Sequence, residues 1–433
     1  MTYKETTEYL FTSAPLFQQQ GAGAYKEGLQ TTLALDEHFG HPHRRFRTIH
    51  VAGTNGKGSC SHTIAAVLQA AGYRVGLYTS PHLVDFRERI RINGEMIPEQ
   101  YVVDFVANER SFFEPLHPSF FELATAMAFK YFADENVDVA VVEVGLGGRL
   151  DCTNIIHPEV SVITNISFDH VGFLGDTLAK IAAEKAGIMK AGVPVIIGEA
   201  NAETRPVFES TAAAVGAPII FAEEMDDEPF GHVESSLKGF CQEKNTRTIT
   251  TALARLLLDQ NLKTDDDDAL YLEQDCKMPR LLFTLDDVCR GFAEVCQLTG
   301  LRGRWEILSE SPLTICDTGH NVGGWQYIVP QLTKLSEGKT LRMVFGMVND
   351  KDITTVLKML PKDAVYYFCN ASVKRALAAD AIASQAAGFG LVGRSRGSVS
   401  EAYEAAKSEA TSDDVIFIGG SSFVVADLLT YLQ

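Results

Sequence analysis

Between residues 46 and 80 the chain reads FRTIHVAGTNGKGSCSHTIAAVLQAAGYRVGLYTS, and its hydrophobic period changes twice. Phe46, Ile49 and Val51 form an alternating apolar run that reaches Gly53. Ile64, Val67, Leu68 and Ala71 then recur at helical spacing and stop at Gly72, and a second apolar run follows. The pattern predicts strand, Gly-rich turn, helix, strand, and the rest of the chain is arranged around this unit.

Similar alternations continue along the chain. Gly28 and Leu29 precede Leu33, Leu35 and Phe39, a helical segment ending at Gly40. PSFFELATAMAFKYFADENVDVAVVEVGLGGRLDCTN predicts a helix with Phe121, Ala124, Ala128 and Phe132 facing the core, then a fully apolar strand and a Gly-rich turn. EVSVITNISFDHVGFLGDTLAKIAAEKAGIMKAGVPVIIGE predicts strand, loop, a helix from Asp176-Thr177, and strand. A helix in SLKGFCQEKNTRTITTALARLL closes a first domain, in which Asn245 taken alone is an N-cap candidate. LDDVCRGFAEVCQL is a further helix, leading to a boundary near 297 to 303. Beyond it the pattern restarts with strands in LTICDTG, LRMVFGM, AVYYFCN and DDVIFIGG. Strands alternating with helices define an α/β protein: an N-terminal P-loop ATPase-like doubly wound sheet over 1–297 and a smaller C-terminal Rossmann-like domain over 298–433.

Between these elements, QQQGAGAY reads as a connection, Asn93-Gly94 as a tight turn and the acidic insert TDDDDALYLEQD at 264–275 as a solvated loop. Arg87, Arg89 and Arg91 alternate with apolar residues, so on an extended segment they share one face, read as a solvated edge strand.

Composition narrows the function classes. A chain of 433 residues exceeds what one core usually serves, which agrees with two domains. A formal charge of -18 argues against a general nucleic-acid or anionic-membrane binder, so any phosphate site must be local. The eight cysteines include no C-x-x-C, which signals neither a zinc framework nor a disulfide scaffold. The N-terminus MTYKETTEYL is charged and no stretch is long enough to cross a bilayer, so the expected location is the cytoplasm.

The candidate chemistry begins at the Gly-rich turn. Backbone N–H groups and the positive end of the helix dipole suit a polyphosphate, Lys57 supplies a mobile cation, and the Ser59 hydroxyl could meet phosphate or metal. The loop is shorter than the common phosphate-loop pattern: its first Gly is Gly53 where the longer form expects one at Val51, and Gly58 separates Lys57 from Ser59. Glu143 interrupts the apolar run VDVAVVEVG, and a carboxylate there must be compensated. A magnesium ion near the nucleotide is one compensation; a buried ion pair with Arg149 or another base is the other. Asp169 and His170 fall at the end of the next strand, the edge where open α/β sheets hold ligands. An Asp such as Asp151 after Gly-Gly is also common turn chemistry.

GTNGKGS followed by YTSPHL resembles the ATP-dependent Mur ligase superfamily, and within it the folylpolyglutamate synthase and dihydrofolate synthase family. The resemblance runs from KEGLQTTLAL at 26–35 to GGSSF at 419–423. It implies that Asn55, Gly56, Lys57, Gly58 and Ser59 hold the ATP phosphates, and that Ser80, Glu143 and His170 hold magnesium. By the same resemblance Asn245, Arg304, Asp317 and His320 contact ATP, and Gly28, Phe121, Asp151 and Ser421 contact substrate. Lys185 in EKAGI stands where the family's lysine is carbamylated, which requires a depressed amine pKa. The catalytic set so implied is Lys57, His170, Lys185 and Arg304, with Arg304 reaching the transferring phosphoryl group.

The implied activity joins L-glutamate to dihydropteroate, to folates, or to both, through an acyl phosphate, in a monomer whose partners are small molecules. A monofunctional folylpolyglutamate synthase is the nearest alternative. A peptidoglycan-precursor ligase is more distant, since such enzymes carry a further N-terminal domain and only about fifty residues precede the strand unit here. A nucleotide-driven switch, which would need no second substrate, is the alternative from another class.

Overall fold

The computed structural model describes residues 1–13, 28–225, 229–262, 280–349 and 351–433. The connection expected at 18–25 and the acidic insert at 264–275 lie outside the described residues. Contacts divide the chain into two compact units. The first comprises Met1–His82, Phe86–Ser236 and Glu243–Leu301, and the second Leu83–Asp85, Leu237–Gln242 and Arg302–Gln433.

In the first unit the described strands are β1 (Arg47–Ala52), β2 (Val75–Tyr78), β3 (Ile90–Ile92), β4 (Glu95–Met96), β5 (Val139–Glu143), β6 (Val160–Ile163), β7 (Val195–Ile197) and β8 (Ile219–Phe221). They form one sheet in the order β4-β3-β2-β5-β1-β6-β7-β8. All pairings are parallel except β2 with β3 and β3 with β4. β1, β2, β5, β6 and β7 are buried along their whole length, which is why their sequences are continuous apolar runs. β1 lies between β5 and β6. The chain leaves β1 towards β2 on one side and β5 towards β6 on the other, so connections diverge at this point and the loops at the strand ends frame a crevice.

Gly56, at φ +84°, adopts a left-handed conformation that costs glycine nothing and opens the Lys57–Ala70 helix. Ile64, Val67 and Leu68 of that helix pack on Ile49, Val51, Val141 and Val162. The Phe120–Asp134 helix starts with a reciprocal cap: Ser119 Oγ accepts the Glu122 N–H and Glu122 Oε2 accepts the Ser119 N–H. Its buried face joins a second core that includes Tyr78 and Phe86.

The second unit holds β9 (Glu306–Glu310), β10 (Leu313–Asp317), β11 (Leu341–Phe345), β12 (Val365–Asn370), β13 (Val392–Ser398) and β14 (Val415–Gly419). The sheet order is β13-β12-β11-β14-β10-β9, parallel except for β9 against β10. Apolar clusters cover both faces. β9 and β13 carry no strand signal in the sequence because both are edge strands. EILSE and VGRSRGS are largely exposed or half-buried, so no apolar run marks them.

The described structure corrects three expectations. Phe86–Arg89 is a 3₁₀ turn, and only Ile90–Ile92 is extended, inside the sheet between β2 and β4. Arg89 and Arg91 are buried rather than lying on a solvated edge: Arg89 donates from Nε to His82 Nδ1 at 2.8 Å and lies over the Phe120 ring, and Arg91 donates to the Gly94 carbonyl. Buried polar and aromatic partners, invisible in the alternation, make that burial possible. Asn245 lies inside the Gln242–Leu262 helix rather than capping it. The segment expected as one helix at 285–298 is two, Leu285–Ala293 and Val295–Thr299, separated at Glu294. The tight turn at Asn93-Gly94 is present, with φ of 48° and 82°. His62 Nδ1 lies 2.8 Å from Thr299 Oγ1, which ties the Val295–Thr299 helix to the first unit.

Candidate functional site

The loop between β1 and the Lys57–Ala70 helix is fastened from below. The Asn55 N–H donates to Asn165 Oδ1 (3.0 Å), Asn55 Nδ2 donates to Ser167 Oγ (3.1 Å), and the Ser167 N–H donates to Thr54 Oγ1 (3.1 Å). Thr164 Oγ1 donates to the Asn55 carbonyl. Thr164, Asn165 and Ser167 follow β6 and were missed in the sequence, although a run of small polar residues after an apolar strand is the trace they leave. A Cβ on Gly53 would fall 1.9 Å from Thr164 Oγ1, and one on Gly56 would fall 2.4 Å from Asn245 Oδ1. Glycine is therefore required at both positions, and Asn245 is brought directly against the loop. Gly58 and Ser59 belong to the first turn of the helix, Ser59 being buried.

Two cations meet at this loop. Lys57 Nζ donates to the carbonyls of Gly53 (3.1 Å) and Thr54 (3.2 Å), and Lys185 Nζ, from the Leu178–Ala186 helix, donates to the same Gly53 carbonyl at 2.9 Å. Burial, together with the charge of Lys57, lowers the Lys185 amine to about 7, against partial opposition from Asp169 and Asp151. The lysine that the sequence marks as needing a depressed pKa has one.

Ser80 follows β2 and Glu143 ends β5, the neighbouring strand. The Ser80 N–H donates to Glu143 Oε2 at 3.3 Å, and Glu143 is buried within electrostatic reach of Arg89. Arg149 donates instead to Glu184. His170 has a left-handed backbone (φ 50°) on the loop after β6, and its N–H donates to Asp169 Oδ1. Ser80 and Glu143 are thus brought together, and their oxygens suit magnesium; the His170 imidazole is the softer donor of the expected set. Among the described residues no three His, Cys, Asp or Glu side chains cluster as a metal site. A divalent ion here would keep several water or phosphate ligands, as magnesium does.

On the same edge Phe121 is half-buried and stacks on Tyr78 (centroids 5.6 Å apart). A Cβ on Gly145 would meet the Phe121 ring at 2.3 Å. Asp151 is buried. Its Oδ2 accepts the Leu146 N–H (2.8 Å), and its Oδ1 accepts the Thr153 N–H (3.0 Å) and hydroxyl (2.5 Å). Turn chemistry is therefore present at Asp151. Burial raises its pKa, and the Thr153 hydroxyl is the first of the bonds that hold it down. Gly28, at φ +97°, precedes the Gln30–His38 helix, which Thr32 Oγ1 links to Glu122 at 3.3 Å.

In the second unit Asp317 ends β10 and accepts the N–H groups of Trp305 (2.8 Å) and Gly319 (2.7 Å). Burial raises its pKa while the charge of nearby Arg304 lowers it. His320 Nδ1 lies 3.1 Å from the Thr318 carbonyl. The helix cap in this stretch is Asn321, not Asp317, since Asn321 Oδ1 accepts the Gly324 N–H. Ser421, buried at the start of the Ser422–Tyr431 helix, accepts the Val424 N–H at 3.2 Å.

A glycine cradle on a helix N-terminus at the central strand of a mixed sheet, followed by a second α/β unit, is the architecture of an ATP-dependent Mur-type ligase. The family models agree: residues 51–209 match the Mur ligase middle domain and 303–422 match the Mur ligase, glutamate ligase domain. The dihydrofolate synthase/folylpolyglutamate synthase of Bacillus subtilis is 32% identical over 361 residues, 77% of this chain and 79% of that protein. Its namesake from Escherichia coli is 31% identical over 88% of this chain and 86% of that protein. A probable bifunctional folylpolyglutamate synthase/dihydropteroate synthase of Haloferax volcanii is 31% identical over 99% of this chain, which spans 50% of that relative's length. Among solved structures, E. coli FolC in complex with DHPP and ADP superposes with a TM-score of 0.83 at 28% identity, covering 100% of this chain and 98% of that one. The chain belongs to the dihydrofolate synthase/folylpolyglutamate synthase family.

Proposed function

We propose that this chain adds L-glutamate to dihydropteroate, to tetrahydrofolates, or to both, at the expense of ATP. A carboxylate does not react with an amine because its oxygen is a poor leaving group. Transfer of the ATP γ-phosphoryl group to the acceptor carboxylate gives an acyl phosphate and ADP; the glutamate amine then attacks the acyl carbon, phosphate leaves, and the amide forms with loss of a proton. The convergence of Lys57 and Lys185 on the Gly53 carbonyl, beside the uncapped start of the Lys57–Ala70 helix, is the observation that carries this reading.

In this reading Asn55, Gly56, Lys57, Gly58 and Ser59 bind the triphosphate and Asn245 seats the nucleotide. Ser80, Glu143 and His170 would hold magnesium, which when bound neutralises charge on the phosphates. Two structures of similar bifunctional enzymes support a divalent ion: one from Yersinia pestis is complexed with AMPPNP and Mn, and another has Mn, AMPPNP and L-glutamate bound. Lys185, half deprotonated near pH 7, is the lysine we assign to carbamylation, because carbon dioxide adds only to the neutral amine. Phe121, Asp151 and Gly28 are assigned to the pterin-bearing acceptor, Arg304, Asp317 and His320 to ATP, and Ser421 to substrate. The likeness to FolC in complex with DHPP and ADP favours the acceptor assignment. We place the enzyme in the cytoplasm as a monomer acting on small molecules; no described helix is long and apolar enough to cross a membrane.

Purified protein offered ATP, magnesium and glutamate with either dihydropteroate or a monoglutamyl folate tests the reading. Phosphate release that depends on both glutamate and an acceptor supports it, and release indifferent to acceptor overturns it. A folate-only product pattern would select the second reading, polyglutamate synthesis alone. That reading is favoured by a folylpolyglutamate synthase of Lacticaseibacillus casei, 33% identical over 83% of this chain and 83% of that protein.

A further inference from the structure

His50 lies in the middle of β1, between Ile49 and Val51, and is fully buried. Its two neighbours face the Lys57–Ala70 helix, so alternation turns His50 to the opposite side of the sheet. There its Nε2 lies 2.9 Å from Thr153 Oγ1, in the short 3₁₀ turn Cys152–Ile155. Its Nδ1 is buried with no hydrogen-bond partner. A polar ring in a central strand, with one nitrogen engaged and the other bare, is expensive to keep.

The proton count explains it. Thr153 has one hydroxyl hydrogen, and Asp151 Oδ1, 2.5 Å from Thr153 Oγ1, can only accept. The hydroxyl therefore donates to Asp151 and accepts from His50, whose Nε2 must carry the hydrogen. We infer that His50 and Thr153 are positioning residues: a hydrogen-bonded chain from His50 through Thr153 holds the Asp151 carboxylate in one orientation for a ring N–H of the acceptor. This rests on the reading of Asp151 as an acceptor contact.

The chain sets direction as well as place. His50 stays neutral, held at about 3 by burial and by the charge of Lys190, and its bond to Thr153 selects the Nε2–H tautomer. The Thr153 N–H and hydroxyl hold Oδ1 while the Leu146 N–H holds Oδ2, and the carboxylate cannot rotate without losing both sides. The titratable groups facing Asp151 are Cys152 on its own segment, Tyr78 on β2 and Lys185 on the Leu178–Ala186 helix. Burial raises the Asp151 pKa and the Thr153 hydroxyl opposes it, so loss of that hydroxyl raises it further.

The test compares Thr153→Val, Thr153→Ser and Asp151→Asn for acceptor KM, ATP KM, melting temperature and the pH dependence of acceptor kcat/KM. Thr153→Val is expected to raise acceptor KM about tenfold. It should also move the acidic limb to higher pH, with ATP KM near wild type, with a lowered melting temperature because His50 Nε2 loses its partner, and with Thr153→Ser restoring both acceptor readouts. His50→Leu should reproduce the change more strongly than His50→Gln, whose amide can still donate, and this pair decides the matter if Thr153→Val does not fold. An unchanged acceptor KM and pH limb in Thr153→Val, beside an impaired Asp151→Asn, overturns the inference. So does a parallel fall of melting temperature and of affinity for both substrates. An Asp151→Asn enzyme with normal acceptor KM removes the acceptor role of Asp151 itself, a distinct failure.

Discussion

The helix that leaves the central strand of the first unit begins unlike most helices that leave the sheet of the second, and unlike the first unit's own helices capped by Ser119, Thr177 and Thr284. In the second, four of the five described helices that follow strands are closed by a capping side chain, and the fifth, Ala379–Ala387, follows Ala378 and has none. Asn321 caps Val322–Leu335, Asp352 caps Ile353–Met359, Ser398 caps Val399–Ser408 and Ser421 caps Ser422–Tyr431. In the first, the helix that leaves the central strand starts at Gly56, which has no side chain to accept the N–H groups. A capped terminus has spent its donors on the protein, whereas an uncapped one at a central strand holds them for an anion. The open helix start at the central strand is the feature on which the proposed phosphate role of the first unit rests, and Arg304 and Asp317 are the side chains proposed for the second.

The strongest way to break this contrast is Lys57→Ala. If the open helix start and its lysine bind the transferring phosphates, turnover should fall by about a thousandfold or more while circular dichroism and melting stay near wild type. Near-normal turnover would erase the distinction. Gly56→Ala comes next: a left-handed backbone costs a non-glycine residue about 1–2 kcal/mol. The added Cβ would also fall 2.4 Å from Asn245 Oδ1. ATP affinity should weaken by about ten- to a hundredfold, since each 1.4 kcal/mol is tenfold; nucleotide titration reads it.

Lys185 sharpens the picture through pH. Its folded pKa of about 7 lies below the ordinary 10.5, so between these values the unfolded chain binds more protons than the folded one, and stability rises with pH across that window. As pH falls through that window the gain is lost, and the loss is complete by about 7, below which both states are protonated. Denaturant unfolding of wild type against Lys185→Met from pH 7 to 10 should therefore move steadily in favour of wild type, and a constant difference would mean that the amine is not perturbed. The smallest effect is expected in the second unit, where Ser398→Ala should cost about 1 kcal/mol of stability and leave the kinetics untouched. A kinetic change there would show that the capped ends also serve the reaction.

Legibility in the sequence followed burial and sequence distance. The β1–loop–helix–β2 unit was readable because its determinants are local: apolar period, glycine at a left-handed position, a helix stop. Arg89 and Arg91 misled because their spacing matches a solvated strand, and only contact with His82, Phe120 and the Gly94 carbonyl explains their burial. Thr164, Asn165 and Ser167 escaped because they act on a loop more than a hundred residues upstream. Residues 83–85 and 237–242 join the second unit although they are embedded in the sequence of the first, which no local pattern announces.

By itself, then, the amino-acid order determined the α/β class and the glycine-rich turn from the central strand into its helix, since these depend on neighbours a few positions apart. Tertiary structure alone decided that Lys57 and Lys185 share one carbonyl, that Glu143 meets the Ser80 backbone, and that His50 stands behind Asp151. Those facts rest on strands that pair out of sequence order, β5 and β6 on either side of β1, and on burial that shifts a lysine's proton affinity only once the chain has closed around it.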